Sequence, residues 1–175
     1  LFASPGFTDV NLSNNAYACT TKVGSTSGPF SKMVIPEGVG GPRYIHAGER
    51  LYYHLRYTNE GPGRKSNLIL QDEVSAYCDI SSLRIDYSNR GFRLITRGRL
   101  LTFQYYNINL MDTSVADSSV IELIFSLNTF PFSPPGVLVN NTAMAFSDSG
   151  IPLKSNTVSQ TIDFTSQLAD LYPTD

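Results

Sequence analysis

Residues 47–72 read AGERLYYHLRYTNEGPGRKSNLILQD, and their pattern decides the fold class. After a turn at Gly48, Leu51, Tyr53, Leu55 and Tyr57 alternate with Tyr52, His54, Arg56 and Thr58. Successive side chains of a strand point to opposite faces of its sheet, so this two-residue period predicts a half-buried β-strand. Asn59-Glu60-Gly61-Pro62-Gly63 then interrupts it with residues that accept or impose turn geometry. A second extended run, 67–70, returns from that turn. The stretch is either a central hairpin or a corner between two sheets.

Toward the C-terminus, residues 82–87 alternate again and close on Asn89-Arg90-Gly91. Residues 92–96 and 99–105 flank Arg97-Gly98, with Leu101, Phe103 and Tyr105 marking a buried face. Residues 120–128 form the clearest core strand, with Ile121, Leu123, Phe125 and Leu127 inward. Ile124 breaks that alternation and predicts a partly covered outer face. Pro131, Pro134 and Pro135 forbid a continuing ladder, and strands resume at 137–146 and 157–164. Residues 166–175 form a tail that is read as a short helix or a linker.

Residues 1–45 differ. They are rich in Gly, Ser and Pro, with short extended pieces at 7–12, 17–23 and 32–35. They are expected to form an N-terminal arm that docks on its own domain or completes a neighbour's sheet by strand addition. Turn signals at intervals of roughly ten residues, with no convincing helix, predict an all-β chain. The expected fold is an antiparallel immunoglobulin-like β-sandwich over residues 46–165 with an extended N-terminal arm. A barrel or jelly roll is the alternative.

Composition narrows the function. Hydrophobic residues make up 41% of the chain, enough for a core, whereas charged residues make up only 16%. Together with the wealth of Tyr and Phe this points to a secreted domain. A formal charge of −2 gives no basic face for nucleic acid. No apolar run approaches the roughly 20 residues of a membrane span. The first residue is Leu1, which suggests a cleaved leader or a trimmed chain. Cys19 and Cys78 are either separate buried thiols or one disulfide tying the arm to the body; an extracellular setting favours the bridge.

Four motifs, in order, resemble a known group. GERLYYHLRYTNEGP with Asp72 after LILQ is similar to the opening of DUF11-like repeat domains on bacterial surface proteins. FQYYNINLMDTS, at 103–114, resembles a segment of the related immunoglobulin-like domains secreted by the Bacteroidetes type IX system. Val139-Asn140-Asn141-Thr142-Ala143 and Ser155-Asn156-Thr157-Val158 match the closing pair of both groups. The resemblance covers about residues 45–165. Asp72 is followed by Glu-Val-Ser where the group has Thr-Leu-Pro, and Leu171-Tyr172-Pro173 resembles the start of a type IX sorting domain. The resemblance implies structural roles for Asn59, Gly61, Asp72, Asn107, Asn109, Asn141 and Asn156 at turns and strand ends. Gly61 would take positive φ, and the asparagines would bond backbone that strand ends leave open.

The search for chemistry is mostly negative. There is no Gly-x-Ser-x-Gly, His-Glu-x-x-His, phosphate loop or Cys-x-x-Cys. His46 and His54 read as ordinary surface residues. Asp72, Glu73, Asp112, Asp117 and Asp148 read as solvated acids of loops and strand ends; Ca²⁺ binding by one or two of them is the minor alternative, and no cofactor is expected. Some surface sandwiches carry a lysine–asparagine isopeptide bond, for which Lys22 or Lys32 with Asn141 would be the candidates. The sequence marks neither a buried lysine nor an adjacent acid, so the expectation is against it.

The expected function is an extracellular, cell-surface, non-enzymatic structural module: a self-assembling filament subunit or a stalk domain. Its partners would be itself or neighbouring domains, without nucleic acid or a membrane span. Phe7, Val10, Leu12, Tyr52, Tyr106 and Ile124 are the candidate subunit contacts. The alternative is a carbohydrate-binding or adhesive module on a secreted enzyme, with Tyr52 and Tyr106 as an aromatic platform for glycans.

Overall fold

A computed structural model of the chain describes residues 28–113, 119–148 and 150–163. Every element among them is a strand. One sheet has the order β1-β3-β8-β5, from β1 (Phe30–Ile35), β3 (Arg50–Thr58), β8 (Val120–Thr129) and β5 (Cys78–Ser88). A second has the order β11-β10-β4-β7-β6, from β11 (Leu153–Lys154), β10 (Ala143–Ser147), β4 (Lys65–Glu73), β7 (Leu100–Leu110) and β6 (Arg93–Arg97). β2 (Tyr44–Ile45), β12 (Val158–Ile162) and β9 (Leu138–Asn141) make a small third sheet. All pairings are antiparallel except β12 with β2. The result is the expected immunoglobulin-like sandwich.

The alternating residues behave as their period dictates. Leu51, Tyr53, Leu55 and Tyr57 of β3 and Ile121, Leu123, Phe125 and Leu127 of β8 are all buried, facing Leu68, Leu70, Leu101, Phe103 and Tyr105 of the second sheet. Ile124 is half-buried on the outer face, opposite His54 on one side and Tyr87 on the other. β3 and β4 do not pair with each other, so residues 47–72 form a corner between sheets and not a hairpin.

Asparagines shape the corners. Asn59 is buried and donates its amide to the carbonyls of Gly63 (2.8 Å), Met111 (3.1 Å) and Leu110 (3.2 Å), fastening the corner to the end of β7. The left-handed residue of that turn is Gly63 (φ 76°), not Gly61 as expected, because the Asn59 anchor closes the turn on the Gly63 carbonyl. Asn107 (φ 53°) and Asn109 (φ 49°) lie where the β4–β7 register slips between Lys65 and Asn67. Asparagine tolerates the left-handed region better than most residues, so this pair lets β7 bulge without leaving the sheet.

One expected boundary shifts. β1 and β2 fall inside the stretch assigned to an arm, and β1 is a full member of the first sheet, so among the described residues the sandwich takes in strands from residue 30 onward. Cys78 is fully buried, its sulfur facing the core 4.0 Å from Tyr53 Oη. Its expected partner Cys19, the contacts Phe7, Val10 and Leu12, the alternative lysine Lys22 and the tail 166–175 lie outside the described residues.

Burial pushes the Tyr105 phenol up to about 12, against a smaller lowering by the Ser88 hydroxyl. An unfolded tyrosine ionises near pH 10, so the unfolded chain releases that proton first as pH rises. The stability supplied by the neutral phenol is whole below about pH 10 and is lost as pH climbs toward 12. Between about pH 9.5 and 11.5, urea unfolding should show the parent losing about 2 kcal/mol more than Tyr105→Phe.

Candidate functional site: a buried lysine, aspartate and asparagine

Lys32 sits at an inward position of β1, in phase with Phe30 and Val34, and is 1% exposed. Asp72 continues the inward row of Leu68 and Leu70 on β4 and is 0% exposed. Asn141 follows Val139 in phase at the end of β9 and is likewise buried. Each of the three sheets thus contributes one polar side chain to a common point. Lys32 Nζ donates to Asp72 Oδ2 and, at 2.7 Å, to Asn141 Oδ1.

Aromatic rings enclose the amine. Nζ lies 4.6 Å from the centroid of Tyr53 and 5.6 Å from that of Phe125, and those two rings pack 5.3 Å apart. Phe103 stacks behind Phe125 at 5.5 Å. Removing a charged amine from water is costly, so burial lowers the Lys32 pKa, opposed by the attraction of the Asp72 charge and its hydrogen bond. Asp72 Oδ1 and Asn141 Nδ2 are buried without a hydrogen-bond partner among the described residues. A surface pocket of about 400 Å³, lined in part by Glu73, Arg99 and Asn141, opens at the end of β9.

This arrangement can make an amide. A neutral lysine amine is a nucleophile, and enclosure among rings favours the neutral form. The proton it gives up has Asp72 to receive it. Attack of Nζ on Asn141 Cγ forms a C–N bond, and loss of Nδ2 as ammonia, with that proton, completes the exchange. Atoms balance and nothing is oxidised or reduced. The buried lysine and adjacent acid that the sequence did not mark are therefore both present at Lys32, and the expectation against such a pair is corrected. Asp72 is not a solvated strand-end acid. It lies inside β4, opposite Ala143 and Leu101.

The other expected residues are dispersed. Asn156 clasps β1: Lys32 N donates to its Oδ1 at 2.9 Å, and its Nδ2 donates back to Lys32 O at 2.8 Å. Asp148 accepts from the backbone amides of Ser66 and Asn67 and from the Asn67 side chain, which hold its carboxyl below the usual range. Among the described residues, no three His, Cys, Asp or Glu side chains gather as a metal site, and no helix could cross a membrane. Tyr52 (41% exposed) and Tyr106 (53%) belong to different sheets, so they do not make one platform. Sequence reasoning missed the role of Tyr53, which alternation alone marks as core.

A family model described as "Domain of unknown function (DUF7619)" matches residues 29–161. The chain belongs to that family. No curated protein matches the chain. Among solved structures, the DUF7619 domain is similar to the N-terminal domain of the Streptococcus gordonii adhesin Sgo0707, at 15% identity and TM-score 0.60, over 78% of this chain and 33% of that one. It is also similar to BcpA, the major pilin subunit of Bacillus cereus, at 13% identity and TM-score 0.54, covering 76% of this chain and 39% of that one. A third likeness is to the full-length major pilin SpaD of Corynebacterium diphtheriae, at 13% identity and TM-score 0.55, covering 74% and 34%. At such identities the likeness is one of fold alone, and the chain spans only a third to two-fifths of those proteins.

Breaking a buried ion pair by removing one partner leaves the other charge uncompensated. Asp72→Ala should therefore be less stable than the double replacement Lys32→Met/Asp72→Leu by about 3–5 kcal/mol in urea unfolding. Neither variant retains both Lys32 and Asp72, so the comparison isolates the charge.

Proposed function

We propose that the protein is an extracellular, non-enzymatic structural module whose sheets are joined covalently by an isopeptide bond between Lys32 and Asn141, formed by the domain itself with Asp72 as proton carrier. The observation that carries this reading is the contact of one fully buried amine with both a carboxylate and a carboxamide. The fold shared with adhesin and pilin domains supports a place at the cell surface, as a filament subunit or a stalk domain. The motif likeness to DUF11-like and type IX-secreted domains supports the same setting.

The bond would tie residues 109 apart in sequence. By the chain-entropy argument used for disulfides, closing a loop of that size stabilises by about 5 kcal/mol. The intact protein should weigh less than its sequence by one ammonia, and Lys32→Ala and Asn141→Ala should each regain the full mass for their sequence. A parent chain at full mass refutes the bond. For the filament version, deleting residues 1–15 should leave a folded monomer that no longer assembles under negative-stain microscopy; a deletion variant that still forms filaments counts against strand addition.

A further inference from the structure

The Asn141 carboxamide has two unlike ends, and only one orientation suits the chemistry. Oδ1 must face the amine and its acid, where a developing negative charge on oxygen meets donors. Nδ2 must face elsewhere, free to leave. On one side of Asn141 stands Lys32 Nζ, a donor, which fixes Oδ1 at 2.7 Å. The ring of Tyr53 lies against that same Nζ, so its buried hydroxyl shares the enclosure with the carboxamide. Nδ2 is buried with no hydrogen-bond partner found for it among the described residues, so an acceptor in the same enclosure has a place to fill.

Tyr53 is well placed for such a part. It is fully buried on β3, its ring lies under Nζ at 4.6 Å, and it packs on Phe125. Its other polar neighbour is the Cys78 thiol, 4.0 Å from Oη and only a weak acceptor. Burial, with the nearby Cys78 thiol and Asp72 carboxylate adding to it, holds the phenol well above its ordinary pKa despite the opposing pull of the Asn141 amide. Oη therefore keeps its proton and still has lone pairs with which to accept.

We propose that Tyr53 is a positioning residue for the crosslink: its hydroxyl receives the N–H end of the Asn141 carboxamide and so holds Oδ1 toward Lys32 and Asp72. The inference rests on the isopeptide reading given above and adds a fourth side chain to it. Without the hydroxyl, the amide is free to rotate and spends part of its time with nitrogen toward the amine, where attack is unproductive. The ring itself, and the apolar enclosure that it gives Nζ, does not depend on the hydroxyl.

The test is Tyr53→Phe in the full chain, which keeps the ring and removes Oη. The parent and the variant are made by cell-free synthesis, and the loss of ammonia is followed by intact mass over time. Misplacement of a reacting group costs on the order of 100-fold in rate, and a slowing of that size is expected. The same substitution in a Lys32→Ala background, where no bond can form, reads any purely structural effect of the hydroxyl. There the melting temperature should move by no more than about 4 °C. An unchanged rate of ammonia loss overturns the role of Tyr53, as does a Tyr53→Phe chain that fails to fold in either background. A parent that never loses ammonia overturns the crosslink and the positioning role together, and that result is read before any variant is made.

Discussion

The interaction on which the rest of the structure depends is the contact of the Lys32 amine with Asp72 in the middle of the sandwich. Two charges removed from water carry a desolvation cost of several kcal/mol each, and mutual attraction offsets it only when the geometry is good. β1, β4 and β9 must therefore meet with little freedom, because a shift of any one strand would leave a buried charge unmatched. The Tyr53 and Phe125 rings fill the space in which water would otherwise solvate the amine. Apolar residues of the same volume would hold the sheets at least as well. What the polar set adds, on the proposed reading, is reactivity.

Much of the fold was legible because the period-two signal is strong in β3 and β8, and every inward residue read from it is buried. The site was not, although its signal lay in the same pattern. Lys32 is in phase with Phe30 and Val34, Asp72 with Leu68 and Leu70, and Asn141 with Val139. A charged residue on the apolar phase of a strand is an unsolved burial problem, and two such residues of opposite sign solve it for each other. Alternation says which side of a sheet a residue takes, but not which strands face each other across the core. That pairing is set by the crossing from β3 to β4 and by the switch of sheets at Thr142, and neither leaves a mark in local sequence.

The asparagines show how one residue type divides its work by position. Asn59 and Asn156 bond backbone, as expected of a short amide at a corner or a strand edge. Asn107 and Asn109 serve through their tolerance of left-handed backbone. Asn141 has the same side chain, but its position turns that side chain inward, where it meets an amine in place of a peptide group. Asn141 does end a strand, β9, but the partner of its side chain depended on what stood across the core.

The placement of Lys32 and Asn141 along the chain has a mechanical consequence. One lies in the first strand of the sandwich and the other in the ninth, 109 residues later. With the two joined, tension applied at the ends of the domain passes from β1 through the amide into β9 and leaves by β12. The segment between them carries none of it. Extended at about 3.4 Å per residue, that segment would otherwise release roughly 370 Å of slack. A domain pulled by its neighbours would then stay short under loads that unravel an ordinary sandwich, and β3, β4, β7 and β8 would keep their hydrogen bonds because no force reaches them.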